Sequence, residues 1–152
     1  MDEKYVTKHF NDLTPQELYS IHRLRNEVFV VEQQCIYQDA DNKDPRSHHV
    51  MLYDAKGLAA YSRIVPAGIS FTELSIGRVV TAPHARGTGA GKKIMQEAIK
   101  QCNRLFGNVP IRIGAQLYAK EFYNKLGFIQ SGDVYDEDGI PHIEMLLPAT
   151  SQ

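Results

Sequence analysis

The sequence predicts an α/β domain in which helices cover both faces of a mixed β-sheet. The first observation is the order of segments with strand or helix periodicity: strand, helix, hairpin, strand, helix, strand, helix and two final strands. The second is the segment 71–106, in which a strand, a glycine-rich turn and an amphipathic helix follow one another directly. This order is not that of a doubly wound sheet.

The first half of the chain predicts three strands and one helix. Residues 5–10 alternate as a short strand. Thr14, Pro15 and Glu17 are the N-cap, first and third residues expected at a helix start, and we expect this helix to end near Val31. A polar connection at 32–44 follows, and strands at 48–53 and 58–65 are joined by a hairpin turn that ends at Gly57.

The second half begins with the central strand, which Pro83 ends because proline cannot donate to a ladder. The helix after it carries one apolar face, which includes Ile94, Met95 and Ala98. A short buried strand at 111–113 and a helix at 117–126 come next. Strands at 128–134 and 140–147, separated by a turn-rich stretch, complete the pattern.

Length and composition limit the classes of protein to which this chain can belong. A chain of 152 residues with 43% hydrophobic and 23% charged residues is expected to be one soluble domain, 1–152. The net charge of −1 argues against nucleic acid. No signal segment and no apolar run of about 18 residues occurs, and Cys35 and Cys102 lack metal or redox spacing, so we expect a cytoplasmic protein that does not contact membranes.

The turn after the central strand predicts an anion site. The first amides of a helix have no internal partners, and glycines let a phosphate approach the backbone closely. Both common nucleotide motifs fail, because the dinucleotide fingerprint needs glycine where Lys92 stands and the Walker-A loop needs glycine where Arg86 stands. A tight connection that binds nothing stays open at this point. The residues of the turn are Arg86, Gly87, Thr88, Gly89, Ala90 and Gly91.

Two motifs carry a resemblance to a known family. The spacing Arg-x-x-Gly-x-Gly at 86, 89 and 91 resembles the pyrophosphate signature of GNAT acyl-CoA N-acyltransferases. The segment 116–128, with Gln116, Tyr123 and a terminal Gly-Phe, resembles the second GNAT motif, although the family often has Asn where Gln116 stands. The segments 25–33, 76–79, 114–116 and 138–142 are similar to the ElaA-like branch, and together these pieces cover most of the chain.

The resemblance implies a GNAT fold, with a mixed, mostly antiparallel central sheet whose strands splay into a V-shaped cleft. Gly77, in the middle of a strand, is consistent with the bulge at that cleft. The co-substrate would be acetyl-CoA, with its pantetheine arm on the main chain of Val79, Val80 and Thr81 and in contact with Gln116. Its diphosphate would lie on the amides of 87–91, beside Arg86.

Two residues are candidates for catalysis. Glu73 precedes Arg86 by 13 residues, where family members that use a glutamate base often place it. It lies roughly 23 Å along the strand from Val80, and we therefore expect it inside the cleft on the acceptor side, acting directly or through a water. The alternative is a cross-strand or solvent-facing carboxylate. Tyr123 is the candidate general acid, since an ordinary tyrosine is protonated at neutral pH. The alternative is a packed aromatic whose hydroxyl donates to a backbone carbonyl.

Four further residues are candidates for binding the acceptor. Glu32 and Gln33, with the aspartates that follow, could attract a cationic amine, although an acidic loop is usually solvated. Arg78 could bind a substrate carboxylate or pair with a buried acid, and His142 could line the acceptor site or be a satisfied strand histidine. The 39–50 segment fails as a calcium loop and no zinc helix occurs, so no metal is predicted.

The predicted function is direct transfer of an acetyl group from acetyl-CoA to a primary amine of a small molecule or peptide, with general base and general acid assistance. A non-catalytic acyl-CoA sensor and an acyltransferase for longer acyl chains are the alternatives. The sequence does not identify the acceptor, and it leaves the oligomeric state open, with a homodimer as one option.

Overall fold

A computed structural model describes residues 3–150. The first half contains β1 (Lys4–His9), α1 (Pro15–Arg25), β2 (His48–Asp54), β3 (Gly57–Val65) and β4 (Leu74–Thr81). The second half contains α2 (Ala90–Phe106), β5 (Ile111–Gln116), α3 (Lys120–Lys125), β6 (Ile129–Gln130), β7 (Tyr135–Glu137) and β8 (Ile140–Leu147). Short 3-10 turns and one π-helix connect several of these elements.

The strands form one mixed sheet in the order β1-β2-β3-β4-β5-β8-β6, with β7 also paired to β8. Every neighbouring pair is antiparallel except β4 and β5, which run parallel. The predicted mixed, mostly antiparallel sheet is therefore confirmed. Two details near the end of the chain differ. The strand predicted at 128–134 is only the two-residue strand β6. Part of the turn-rich stretch at 135–139 is itself the strand β7, closed onto β8 by Asp138 and Gly139 in left-handed conformations.

Helices cover both faces of the sheet, as predicted. The apolar face of α2, with Ile94, Met95 and Ala98 fully buried, packs on one face. On the other face α1 buries Ile21 and Leu24 in a separate cluster. Each helix lies over a strip of the sheet and removes that strip from water, which is the main favourable term in folding such a layered domain.

The first helix starts where the sequence predicts. The Thr14 hydroxyl accepts a hydrogen bond from the Glu17 amide at 3.1 Å, and the Glu17 carboxylate accepts one from the Thr14 amide at 2.8 Å. This capping box satisfies two amides of the first turn. The α-helix ends at Arg25, however, and the chain continues as a π-helix from Asn26 to Glu32. Such helices are rare and often occur at functional sites.

The centre of the sheet opens into a V. Between the register pairs Tyr61–Val80 and Arg63–Gly77, two residues of β4 oppose one residue of β3, which is a β-bulge. Strands β4 and β5 pair only through Leu74–Ile111 and Ser75–Arg112 in the part of the chain that the structure describes. Beyond Ser75 they separate, which confirms the predicted splay and opens a cleft between them.

Candidate active site

The cleft between β4 and β5 has a volume of about 560 Å³. It brings together most of the residues that the sequence predicts for cofactor, acid and acceptor roles. Because a strand edge that lacks a neighbour can pair with an added extended chain, the β4 edge is suited to an extended ligand. The predicted residues that line the cleft are Glu32, Gln33, Arg78, Val79, Val80, Thr81, Arg86, Gly91, Gln116, Tyr123 and His142.

The glycine turn at the end of the cleft has the geometry that close approach of an anion needs. Gly87 and Gly89 have φ values of +79° and +84°, which side chains other than glycine rarely adopt. A Cβ placed on either residue would meet nothing within 4 Å, so the space in front of the turn is open. The side chain of Thr88, between these glycines, folds back onto the preceding turn, where its hydroxyl donates to the Ala85 carbonyl.

The helix that follows the turn presents its positive end. Gly89 is the N-cap of α2, whose first residues are Ala90 and Gly91, and no side chain caps the helix. No acidic residue stands in the first turn of α2, so no carboxylate there offsets the helix dipole. The start of α2 also lies close to the end of β4, since a Cβ on Gly91 would stand 3.4 Å from Thr81 Oγ1. These residues fit the diphosphate of an acyl-CoA.

Arg86 makes an ion pair across the mouth of the cleft. Its Nη1 donates to Glu32 Oε2 at 2.9 Å, and both side chains are nearly half exposed. The hydrogen bond from Arg86 lowers the pKa of the Glu32 carboxyl below its usual range. Exposed ion pairs are weak because water competes for both partners, so a diphosphate can replace Glu32 as the partner of Arg86.

Tyr123 lies on α3 with its ring packed edge-on against Phe122 and Phe128, at centroid distances of 5.0 and 5.9 Å. Burial raises the pKa of the Tyr123 phenol to about 12, with a smaller contribution from the charge of Tyr118. Within residues 3–150 no protein group is hydrogen-bonded to its hydroxyl. The contact with a backbone carbonyl that the alternative interpretation required is therefore absent from that range, and the proton remains available to a ligand in the cleft.

Glu73 lies outside the cleft. It directly precedes β4 at the end where β4 and β5 are paired, and Arg112 binds its carboxylate at 2.9 and 3.0 Å. These hydrogen bonds lower the pKa of Glu73. The carboxylate faces a separate shallow depression, together with Phe71 and Glu144. The expected position of Glu73 inside the cleft is therefore not observed, because the V closes before the strand reaches it.

The aspartates of the segment after the π-helix are paired with arginines and are not available to a substrate. Arg25, which is fully buried, binds Asp39 at 2.7 Å and Asp44 at 2.9 Å. Arg63 binds Asp41 and Asp44, each at 2.8 Å. Burial alone would raise the pKa of Asp44, but the hydrogen bonds and charges of Arg25 and Arg63 hold it below its usual value.

Arg78 belongs to the same network. It stands at the β-bulge with φ of +51°, and its Nε lies 2.8 Å from Asp39 Oδ1 while its Nη2 lies 3.3 Å from Asp41 Oδ2. The guanidinium also covers the ring of Tyr37 at 5.7 Å. Of the two interpretations of Arg78, the structure shows the pair with buried acids. The network fixes the loop that carries Tyr37 as one wall of the cleft.

His142 and Gln116 lie opposite one another on β8 and β5. His142 is 7% exposed, its Nδ1 lies 2.7 Å from the Ile140 carbonyl oxygen, and its Nε2 lies 3.3 Å from Glu137 Oε2. Its ring also lies 5.8 Å from that of Tyr135. The cleft therefore ends, on the side of β8, in a group of ionisable side chains that the sequence pattern does not assemble.

Several residues that line the cleft belong to no predicted motif. Phe29 lies in the π-helix and lines the cleft. Cys35 also lines the cleft, and its thiol lies 3.7 Å from the carbonyl oxygen of Asp138. Tyr118, 82% exposed, stands at the mouth. No periodicity or motif marks these positions, since their contacts join distant parts of the chain.

Residues 3–150 contain no group of three or more histidine, cysteine, aspartate or glutamate side chains arranged to hold a metal ion. Over the same range, no helix is both long enough and apolar enough to pass through a membrane.

Comparison with known proteins supports the interpretation of the cleft. A family model described as an acetyltransferase (GNAT) domain matches residues 10–148. A UPF0039 protein of Schizosaccharomyces pombe is 42% identical over 146 residues, which cover 95% of this chain and 96% of that protein.

Two solved structures are close in both sequence and fold. An acyl-CoA N-acyltransferase from Pseudomonas aeruginosa is 39% identical, with a TM-score of 0.90 over 95% of this chain and 99% of that one. ElaA from Escherichia coli is 35% identical, with a TM-score of 0.89 over the same shares of the two chains. The predicted likeness to the ElaA-like branch is thereby confirmed.

Proposed function

Because this chain belongs to the GNAT acetyltransferase family, we propose that it transfers an acetyl group from acetyl-CoA to a primary amine. The observation that carries the proposal is the cleft itself. It runs along the open edge of β4, ends at a glycine turn and helix N-terminus suited to a diphosphate, and is lined by Tyr123. A likeness to a solved acyl-CoA N-acyltransferase at 39% identity adds support.

Different residues of the chain would bind different parts of acetyl-CoA, which supplies the activated thioester. The main chain of Val79, Val80 and Thr81 would pair with the amides of the pantetheine arm, as a neighbouring strand would. The amides of 87–91 and the Arg86 guanidinium would bind the diphosphate. Gln116, at the end of β5, would contact the arm from the other side of the cleft.

Tyr123 is the proposed general acid. A thiolate leaves when the amine displaces it, and a neighbouring phenol can give it a proton as the bond breaks. Burial keeps Tyr123 protonated well above neutral pH, and its hydroxyl has no protein partner within the described range. The polar groups fixed along β4 would also stabilise the charge that develops on the carbonyl oxygen.

The test measures release of coenzyme A thiol from acetyl-CoA in the presence of five amine probes: glycine, spermidine, kanamycin, phenethylamine and an alanyl dipeptide. We expect amine-dependent thiol release with at least one probe. Tight binding of acetyl-CoA by calorimetry without release for any probe would favour the acyl-CoA sensor and overturn the catalytic proposal. Release from a long-chain acyl-CoA in preference to acetyl-CoA would replace acetyl by a longer acyl group.

The acceptor is proposed only as a class, a small-molecule or peptide amine. A cytoplasmic location and a homodimer stay predictions, and gel filtration with light scattering would test the second.

A further inference from the structure

In direct transfer the amine nitrogen must lose a proton, and a general base within reach of that nitrogen would take it. We propose that His142 is this general base, an inference that rests on the acyltransferase function proposed above. Glu73, the base predicted from sequence, is bound to Arg112 outside the cleft. His142 lines the same cleft as Tyr123, and imidazole is the side chain most often used for this task.

The hydrogen bond to Ile140 determines which nitrogen of His142 can act. A carbonyl oxygen can only accept, so the 2.7 Å contact requires a proton on Nδ1 of His142. In the neutral ring the other nitrogen, Nε2, then carries the lone pair. The backbone of β8 itself therefore fixes the tautomer and ring orientation that a general base at Nε2 needs.

Glu137 is placed to stabilise the ring after it has gained the proton. Its Oε2 lies 3.3 Å from His142 Nε2, so a proton on Nε2 would create a charge-assisted contact. The Glu137 side chain is 60% exposed, and water screens its charge. The contact would therefore stabilise the imidazolium modestly once Nε2 has taken the proton.

The sheet places the base and the acid on opposite sides. Ile143 belongs to the core cluster under α2, against which Tyr123 also packs. Successive side chains of a strand point to opposite faces, so His142 lies on the face away from that cluster. An amine that enters from the His142 face and a thiolate that leaves toward Tyr123 would each meet one proton-transfer group.

Other ionisable groups share this part of the cleft. The groups close to His142 come from β7 and the turn after it, and further ionisable groups line the same cleft from the π-helix, the loop after it and β4. They are Tyr135, Glu137 and Asp138, then Glu32, Cys35, Tyr37 and Arg78. The charge of Arg78 is already matched by Asp39 and Asp41, and the tyrosines are neutral near pH 7.

The proposed step balances in atoms and protons. The neutral amine nitrogen forms a bond to the thioester carbonyl carbon, and one of its protons moves to Nε2 of His142. The carbon–sulfur bond then breaks, and the sulfur takes the phenolic proton of Tyr123. Solvent removes the proton from His142 and returns one to Tyr123, so both groups are ready for the next turnover.

Two substitutions separate a base from a merely structural histidine. The amide nitrogen of asparagine lies near the position of Nδ1, so His142→Asn can still donate to the Ile140 carbonyl. The amide nitrogen of glutamine lies near the position of Nε2, so His142→Gln loses that bond. Neither amide can act as a base. His48→Gln, on the half-buried histidine of β2 outside the cleft, is the matched control.

We measure kcat/KM against pH for thiol release from acetyl-CoA, with the fastest of the five amine probes. Loss of a general base should lower kcat/KM by roughly 10²–10⁴-fold in both His142 variants. It should also remove the enzyme's ionisation from the acidic limb of the pH profile, which would then follow the ionisation of the amine probe alone. The dissociation constant of acetyl-CoA should not change, and the control should keep the wild-type profile.

Activity in His142→Asn together with loss in His142→Gln would show a positioning role and overturn the proposal, as would wild-type profiles in both variants. Imidazole ¹⁵N shifts of the wild-type protein add a readout that needs no variant. At the pH of highest rate we expect a proton on Nδ1 and none on Nε2, and a proton on Nε2 would overturn the proposal. If the wild type releases no thiol with any probe, the acyltransferase function fails first, before any variant is compared.

Discussion

Arg112 donates hydrogen bonds to both carboxylate oxygens of Glu73, 2.9 Å from Nε and 3.0 Å from Nη2. The pair lies at the closed end of the V, where Ser75 and Arg112 are still in register. We predict that Glu73→Gln keeps the wild-type pH profile of kcat/KM, because a carboxylate held there does not reach the cleft. An acidic limb that follows the amine probe alone in this variant, with the enzyme's ionisation gone, would instead make Glu73 the base.

Removal of the phenolic proton should slow the chemical step alone. We expect Tyr123→Phe to lower kcat by roughly 10²-fold or more, the usual contribution of a general acid, while the dissociation constant of acetyl-CoA stays the same. The Phe ring keeps the edge-on packing against Phe122 and Phe128. Tyr19→Phe, on an exposed tyrosine of α1, is the control, and an equal kcat in wild type and Tyr123→Phe would remove the acid role.

A side chain added at Gly89 should abolish coenzyme A binding, and backbone strain alone should not account for that loss. Gly89→Leu places a side chain in the open space before the amides and strains a left-handed residue by about 1–2 kcal/mol. Gly132→Leu imposes the same kind of strain at φ of +109°, outside the cleft. Calorimetry should show loss of coenzyme A binding in the first variant only. Equal affinities would refute the phosphate site.

The ion pair at the mouth of the cleft should compete with the coenzyme. We predict that Glu32→Gln lowers the dissociation constant of coenzyme A, because it frees Arg86 and removes a negative charge near the diphosphate. Arg86→Gln should raise that constant. Glu3→Gln, which breaks a similar exposed pair with Lys93, should leave it unchanged. Weaker binding in Glu32→Gln would show that Glu32 positions Arg86 rather than competing for it.

A buried histidine should make stability sensitive to mild acid. His49 Nε2 donates to the Asp44 carbonyl at 3.0 Å and Nδ1 accepts from the Tyr61 hydroxyl at 2.6 Å, so the neutral ring satisfies both nitrogens. Burial lowers the pKa of His49 to about 4. A depressed histidine pKa contributes stability that is present above the unfolded value near 6.5 and is lost as the pH falls toward 4.

The free energy of unfolding should therefore fall by about 3 kcal/mol between pH 7 and pH 4 through His49 alone, at 1.36 kcal/mol per pKa unit. Urea unfolding at a series of pH values measures this slope. His49→Gln should flatten the slope within this window, whatever its effect on stability at pH 7. An unchanged slope would show that other groups, such as the paired aspartates, control the acid response.

Local chemistry determined much of this protein from the sequence alone. The capping box of Thr14 and Glu17, the strand–turn–helix with Gly87 and Gly89, and the apolar face of α2 each depend on residues a few positions apart. Such patterns have a local physical cause, and they predicted a mixed sheet with helices on both faces. The splay and the role of the β4 edge were implied by the resemblance to the GNAT family.

Tertiary structure alone decided the charged parts of the site. The sequence does not show that Arg112 holds Glu73, that three arginines neutralise Asp39, Asp41 and Asp44, or that Glu137 stands beside His142. These pairs join residues on different elements, and whether a carboxylate meets water, a guanidinium or an imidazole depends on the packing of strands and loops. Periodicity records which face a residue occupies, but it carries no information about the residue that the fold brings opposite to it.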